Sequence, residues 1–242
     1  MSSQVRQKWN VTPAEAREIQ LELRKAWEGA DRLGKIRRVA GLDAAFVLKG
    51  PQALKPASSW IALRGANRAI GGVVVYSFPD MEEVERAWAE VSLQFPYVPG
   101  LLSFREVPVL LAALKKLKHL PDLLFCDGQG YAHPRRFGLA CHLGVLVDRP
   151  AIGCAKSILT GGHETLRSKA GSWAALRDGE EMIGAAARTR EGVKPIYVSQ
   201  GHRVSLETAI RLTFAVCDGT RIPRPTRDAD RYVSDLKRSR ET

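Results

Sequence analysis

Residues 127–156 read DGQGYAHPRRFGLACHLGVLVDRPAIGCAK, and their pattern decides the fold. The apolar run Pro121 to Cys126 has the length of a buried strand and delivers Asp127 at its end. Gly128 and Gly130 follow, where the missing Cβ lets backbone approach a ligand closely. His133 and the Arg135-Arg136 pair stand before an apolar stretch, Phe137 to Val147, that reads as a well-buried helix. A second apolar run, Ala151 to Ala155, delivers Lys156. Charged groups thus gather at strand ends and helix starts, where open α/β sheets place their sites. Any one of these residues is explained as well by a buried strand, a capped helix or a surface arginine; the string as a whole is not.

Working outward, Thr12-Pro13-Ala14-Glu15 is a capping box with proline at the first helical position, opening a helix to about Trp27. Leu21, Leu23 and Trp27 are the candidates for its buried face. Ile36 to Phe46 and Gly71 to Phe78 read as strands, and Ser103 to Lys118 as an amphipathic helix with Val107, Leu110, Leu111, Leu114 and Leu117 on one side. Ile183 to Arg188 and Pro195 to Val198 suit a late hairpin; Ser205 to Val216 and a basic Thr226 to Arg238 suit helices. Met81 to Phe95 is ambiguous, because Glu82-Glu83-Val84-Glu85-Arg86 favours a helix by propensity. Leu48 to Asn67, broken by Pro51, Pro56 and Gly65, reads as a loop insertion. With no repeat or linker, residues 1–242 are expected to form one domain.

The chain carries 37 Lys+Arg against 26 Asp+Glu, a formal charge of +11. Neutralising phosphates releases counterions, so this balance suits a polyanionic partner; a soluble basic surface accounts for the charge equally well. Cys126, Cys141, Cys154 and Cys217 include no C-x-x-C pair, and three of them sit in apolar runs and read as small buried hydrophobes. No signal-peptide core and no run long enough to span a bilayer is visible, so a cytoplasmic protein without a membrane partner is expected.

Hydrolysing a phosphodiester requires an activated water and relief of charge on the leaving oxygen, which paired metals roughly 3.5–4 Å apart provide. Magnesium takes a few carboxylates together with waters and substrate oxygens. Asp43, Glu106 and Asp127 offer such oxygens from two strand ends and one helix start.

Five separated blocks carry a family resemblance: VAGLD (39–43), FPYVPGLLSFRE (95–106), the 127–156 string, SQGH (199–202) and RIPRPTR (221–227). In this order they resemble the endonuclease V family, nucleases that cut beside deaminated bases. The resemblance implies an α/β fold with a ribonuclease-H-like mixed central sheet flanked by helices. It also makes 81–95 a strand, paired with the preceding one through a Pro79-Asp80 turn. Asp43, Glu106 and Asp127 become metal ligands, joined by the position of Asp230, where some relatives carry histidine. Asp228 and Asp230 lie about 200° apart around a helix, so only one of them faces the site; Asp228, read as a first-turn acid, favours the helix dipole. His133 and Lys156 join the catalytic set. Pro96, Tyr97, Val98 and Pro99 match a strand-separating wedge, and Leu102, Gly128, Gly130, Gly138, Leu139 and Gly153 a lesion pocket. The implied activity is magnesium-dependent hydrolysis, manganese substituting, of the second phosphodiester 3′ to deoxyinosine in DNA by a metal-activated water. The products are 3′-hydroxyl and 5′-phosphate ends. Two alternatives stand beside it: an endoribonuclease acting on inosine-containing RNA, and a non-catalytic binder of deaminated nucleic acid.

Overall fold

The computed structural model describes residues 7–48 and 66–241. Among the described residues nine strands form one mixed sheet: β1 (Arg38–Leu48), β2 (Ala66–Ser77), β3 (Glu83–Ser92), β4 (Leu123–Cys126), β5 (Ala151–Ala155), β6 (Gly162–His163), β7 (Trp173–Asp178), β8 (Glu181–Ala187) and β9 (Ile196–His202). Their spatial order is β3-β2-β1-β4-β5-β9-β8-β7-β6. β1, β4 and β5 run parallel, and every other pairing is antiparallel. Five helices accompany it: α1 (Pro13–Arg24), α2 (Ser103–Leu114), α3 (Leu139–Val147), α4 (Leu206–Ala215) and α5 (Arg224–Glu241).

The strands at the centre are apolar throughout. LLFC of β4 and AIGCA of β5 are buried at every position, the composition of strands covered on both faces. α2 and α3 share one core with Val107, Leu110, Phe137 and Leu143. α4 and Ala229 of α5 belong to another core, with Phe125, Ile152 and Val198. The segment whose local propensity is helical is a strand, as the resemblance implies. Trp88 pairs with Gly72 and Ala89 with Gly71, and Ala87 and Ala89 are buried. Tertiary pairing overrides the propensity of Glu82–Arg86. At the turn, Met81 N–H donates to Ser77 O at 3.0 Å.

Several boundaries differ from expectation. α2 ends at Leu114 rather than Lys118. Leu21 is 50% exposed; the buried stripe of α1 is Ala16, Gln20 and Leu23. Leu48, Ala66 and Asn67 are ladder residues of the β1–β2 hairpin, so the expected insertion shrinks to 49–65, outside the described residues. β6 and β7 carry too little apolar alternation to be seen in sequence. The thiols of Cys126, Cys141 and Cys154 are buried.

α5 lies across β1 and β2, and one glycine sets how closely. A Cβ at Gly41 would stand 1.8 Å from Pro225 O. Gly41→Ala therefore pushes the start of α5 off the sheet, and a cost of about 1–3 kcal/mol follows from overpacking. Urea unfolding checks this; a midpoint within error of the parent would show that α5 docks elsewhere.

Candidate metal and nucleic-acid site

The parallel ladder between β1 and β4 stops at Leu42 opposite Cys126. Beyond it Asp127 N–H reaches back to Leu42 O at 3.1 Å. Asp43 and Asp127 therefore leave neighbouring strands where the parallel pairing ends. Asp43 is not at the end of its own strand, as the sequence suggested; pairing with β2 carries β1 on to Leu48. α5 adds Asp230, and carboxylate oxygens of Asp43, Asp127 and Asp230 lie within 4.8 Å of one another. Lys156, directly after β5, places Nζ 2.5 Å from Asp127 Oδ2 and 2.8 Å from Asp230 Oδ2.

Asp228 turns away from this cluster. Tyr76 donates its hydroxyl to Asp228 Oδ2 at 2.7 Å, and Arg227 Nε donates to Oδ1 at 3.1 Å. The reading that only one of the two acids faces the site holds, with a correction. The first turn of α5 contains no acid, so Asp228 is a partner of Tyr76 and the arginines rather than a dipole group.

Burial raises the Asp43 carboxyl well above the usual range, and the charges of Asp127 and Asp230 push the same way. Glu106, in the first turn of α2, is likewise raised, by burial and then by Asp43 and Asp127. It is not one of the three converging acids. Burial raises Asp127 as well, although Lys156 opposes the shift. Burial works against the Lys156 charge, yet Asp127 and Asp230 more than offset it, and its pKa is raised. One ammonium among four acids leaves an excess of hard oxygen donors in a confined space. That donor set fits a divalent cation of the magnesium type.

A cavity of about 370 Å³ opens beside the carboxylates. Glu106, Asp127 and Lys156 line it, together with Leu102, Gly128, Gly138 and Leu139 of the expected pocket. Tyr97 and Pro99 line it as well. Gly130 and Gly153 do not line it. A Cβ on Gly130 would lie 2.2 Å from Gln200 O, and one on Gly153 would lie 2.4 Å from Gly130 N, so these two glycines let backbones pack. Gln129, Ile158 and Leu159 also line the cavity and were missed. Ile158 and Leu159 are 38% and 46% exposed, and an apolar pair just after a strand-end lysine was the available signal. A larger groove of about 990 Å³ at the β6–β7 edge includes none of the acids of the site.

Within the wedge segment, Pro96 and Pro99 are exposed and Tyr97 is half-buried. Val98 packs on a small core of Phe95, Leu101 and Phe104. Leu101 N–H closes a turn onto Val98 O at 3.0 Å, with Pro99 and Gly100 central and Gly100 at φ +76°, the geometry of a type II turn. His133 is buried, with Nε2 3.0 Å from Gly100 O and Nδ1 accepting from Arg135 N–H at 3.2 Å. Burial and then Arg135 lower its pKa to about 4, so the ring is neutral near pH 7 and both its nitrogens are engaged. Arg136 is tied to Asp178 and Glu181. His202 is buried and accepts from Glu28 N–H at 3.3 Å, a packing role.

The raised Glu106 pKa has a stability consequence. Below about pH 4.5 the carboxyl is protonated whether the chain is folded or not; above it, the unfolded carboxyl ionises first and stability falls as pH rises. Glu106→Gln removes this penalty. In EDTA at pH 7 its Tm is expected to exceed the parent's, by about 2–4 °C for each kcal/mol, with the gap closing towards pH 4. A gap that stays constant between pH 4 and 8 would mean that Glu106 ionises normally.

Against known proteins, the family model for endonuclease V matches residues 20–231. An endonuclease V of Roseiflexus castenholzii is 48% identical over 226 residues, 93% of this chain and 94% of the relative. The crystal structure of endonuclease V from Streptomyces avermitilis superposes with a TM-score of 0.84 at 39% identity, covering 97% of this chain and 96% of that one. Endonuclease V of Ciona intestinalis, in complex with a 24mer DNA containing an inosine followed by a ribo-adenosine, gives a TM-score of 0.75 at 29% identity over 93% of this chain and 98% of that one. A. aeolicus Argonaute, at 12% identity and a TM-score of 0.50 over 86% of this chain and 30% of its own, shares the ribonuclease-H-like fold alone. Matched across most of its length in sequence and in structure, the chain belongs to the endonuclease V family.

Proposed function

We propose that the protein is a DNA-repair endonuclease that hydrolyses the second phosphodiester 3′ to deoxyinosine, leaving 3′-hydroxyl and 5′-phosphate ends. The observation that carries this reading is the junction of two features. Asp127, which converges with Asp43 and Asp230, lines a 370 Å³ cavity together with Glu106 and Lys156, and Tyr97 and Pro99 line the same cavity. A space of that size takes one nucleoside and excludes a duplex, so the base has to leave the stack to enter, at a cost of a few kcal/mol.

Asp43, Glu106, Asp127 and Asp230 would hold magnesium, or manganese in its place. When bound, the cation neutralises phosphate charge and activates water. Lys156 keeps its proton on Nζ and offers a positive charge to the phosphate. Backbone at Gly128, Gly138, Leu102 and Leu139 reads the carbonyl and N1–H of hypoxanthine, while Gly130 and Gly153 keep the slot narrow from behind. Tyr97, held between Pro96 and Pro99 with Val98 anchored below, fills the gap that the base leaves. His133 positions Gly100 at the foot of this wedge. The whole chain serves as one catalytic domain in a reducing cytoplasm.

Inosine-containing RNA is the second reading, favoured by the ribo-adenosine after the inosine in the DNA bound by the Ciona protein. Nicking assays on matched DNA and RNA strands with one inosine decide between them. Absence of magnesium-dependent nicking on both would leave only a binder of deaminated nucleic acid.

Asp43→Asn or Asp127→Asn should abolish nicking while inosine-dependent binding persists; activity near that of the parent in magnesium would remove these residues from the metal shell. Asp230→Ala should raise the magnesium concentration needed for half-maximal rate. Asp228→Ala should leave that requirement unchanged and cost about 1–3 kcal/mol, because the buried end of Tyr76 loses its acceptor. Titrating magnesium against nicking rate in both variants checks the pair, and the opposite pattern would exchange their roles.

A further inference from the structure

Gln20 is a polar residue in the buried stripe of α1, 1% exposed. Burying an amide is costly unless each of its polar atoms finds a partner, and here each does. Its Oε1 accepts from Arg135 Nε at 2.6 Å, and its Nε2 donates to Phe137 O at 3.2 Å and Gly100 O at 3.3 Å. The same Gly100 carbonyl receives Arg135 Nη2 at 2.5 Å and faces His133 Nε2 at 3.0 Å. Three donors from α1 and the 131–138 loop thus converge on one oxygen at the foot of the Pro96–Pro99 segment. The strongest is a charged guanidinium whose orientation Gln20 fixes. Gly100 has φ +76°, and a Cβ there would meet Arg135 Nη2 at 3.0 Å.

Resting on the functional reading above, we propose that Gln20 is a positioning residue for the wedge. Through Arg135 it locks the Pro99-Gly100 turn to the cavity wall, so that Tyr97 meets the duplex at a fixed distance from Asp127. Strand separation requires such rigidity, because a wedge that recoils does not hold a base out of the stack. A single strand presents its inosine unpaired and needs no wedge. The clasp therefore acts on duplex substrate and is idle on single-stranded substrate. Loss of fold or of metal binding would reduce both alike.

The test compares Gln20→Met, which keeps the volume and removes both polar ends, with the parent on one inosine-containing sequence in duplex and single-stranded form with magnesium. The kcat/KM on duplex is expected to fall roughly tenfold, the scale of a lost buried hydrogen bond, with the single-strand value within about twofold of the parent's. Gln20→Glu keeps the Arg135 contact but turns an oxygen towards Gly100 O, and should show the same selective loss. Equal losses on both substrates, or none on either, overturn the proposal. Hydrogen exchange at Tyr97 and Leu101 gives a readout independent of nicking: the Gln20→Met variant should exchange faster there and at the parent's rate in β4. If the parent nicks neither substrate, the functional reading falls, and unchanged exchange in the variant would then overturn the clasp separately.

Discussion

Like charges this close repel, and the arrangement of the site depends on what opposes that repulsion. Asp43, Asp127 and Asp230 bring oxygens within 4.8 Å of one another in a partly buried setting, where Coulomb energies are larger than in water. The Lys156 ammonium bridges two of them and so joins the ends of β4 and β5 to the middle of α5. Its single charge does not balance the set; burial first, and then the neighbouring carboxylates, raise the carboxyl pKa values of Asp43 and Glu106. The fold holds this unfavourable group in place with the apolar packing of β4 and β5 beneath and of α2 and α5 on either side. Stability is given up at the point where the acids converge.

The second element of the site is built on the opposite logic. Around Gly100 the amide of Gln20, both ring nitrogens of His133, and Nε and Nη2 of Arg135 are all engaged, with neutral oxygens as the acceptors of the guanidinium. A neutral imidazole and a guanidinium satisfied by carbonyl and amide oxygens make a stiff mount, whereas the carboxylates make an electrostatically loaded one. The cavity touches both, lined by Gly100 and His133 of the one and by Glu106 and Asp127 of the other.

Much of this was legible before any coordinates. Asp127, Lys156 and the helix between them follow from apolar runs of strand and helix length, and the capping box at Thr12 is formed as written. The choice of Asp230 over Asp228 came from helical angle together with the family motif, and Tyr76 accounts for where the other acid went. What stayed hidden depends on tertiary neighbours. The strand at Glu83–Ser92 contradicts its own helical propensity and was recovered only through resemblance. β7 has a single buried position, Leu176, and no periodicity to read. Nothing in the α1 sequence marks Gln20 as buried, since its partners lie some eighty residues or more away. Gly130 and Gly153 are motif glycines whose role is contact between backbones, which spacing does not distinguish from contact with a ligand.

The approach of Pro225 to Gly41 also bears on synthesis. β1 and Asp43 emerge from the ribosome early, but α5 and the carboxylate it carries arrive only after nearly all of the described chain has been translated. Until then Val47, Ile70 and Val74 lack the Ala229 and Val233 side of their packing, and the half-built cluster has only two of its three converging acids. A nascent chain stalled before residue 224 lacks Asp230, and it displays an unpaired apolar face of the kind that chaperones bind. Completion of the nuclease and concealment of that face are one event.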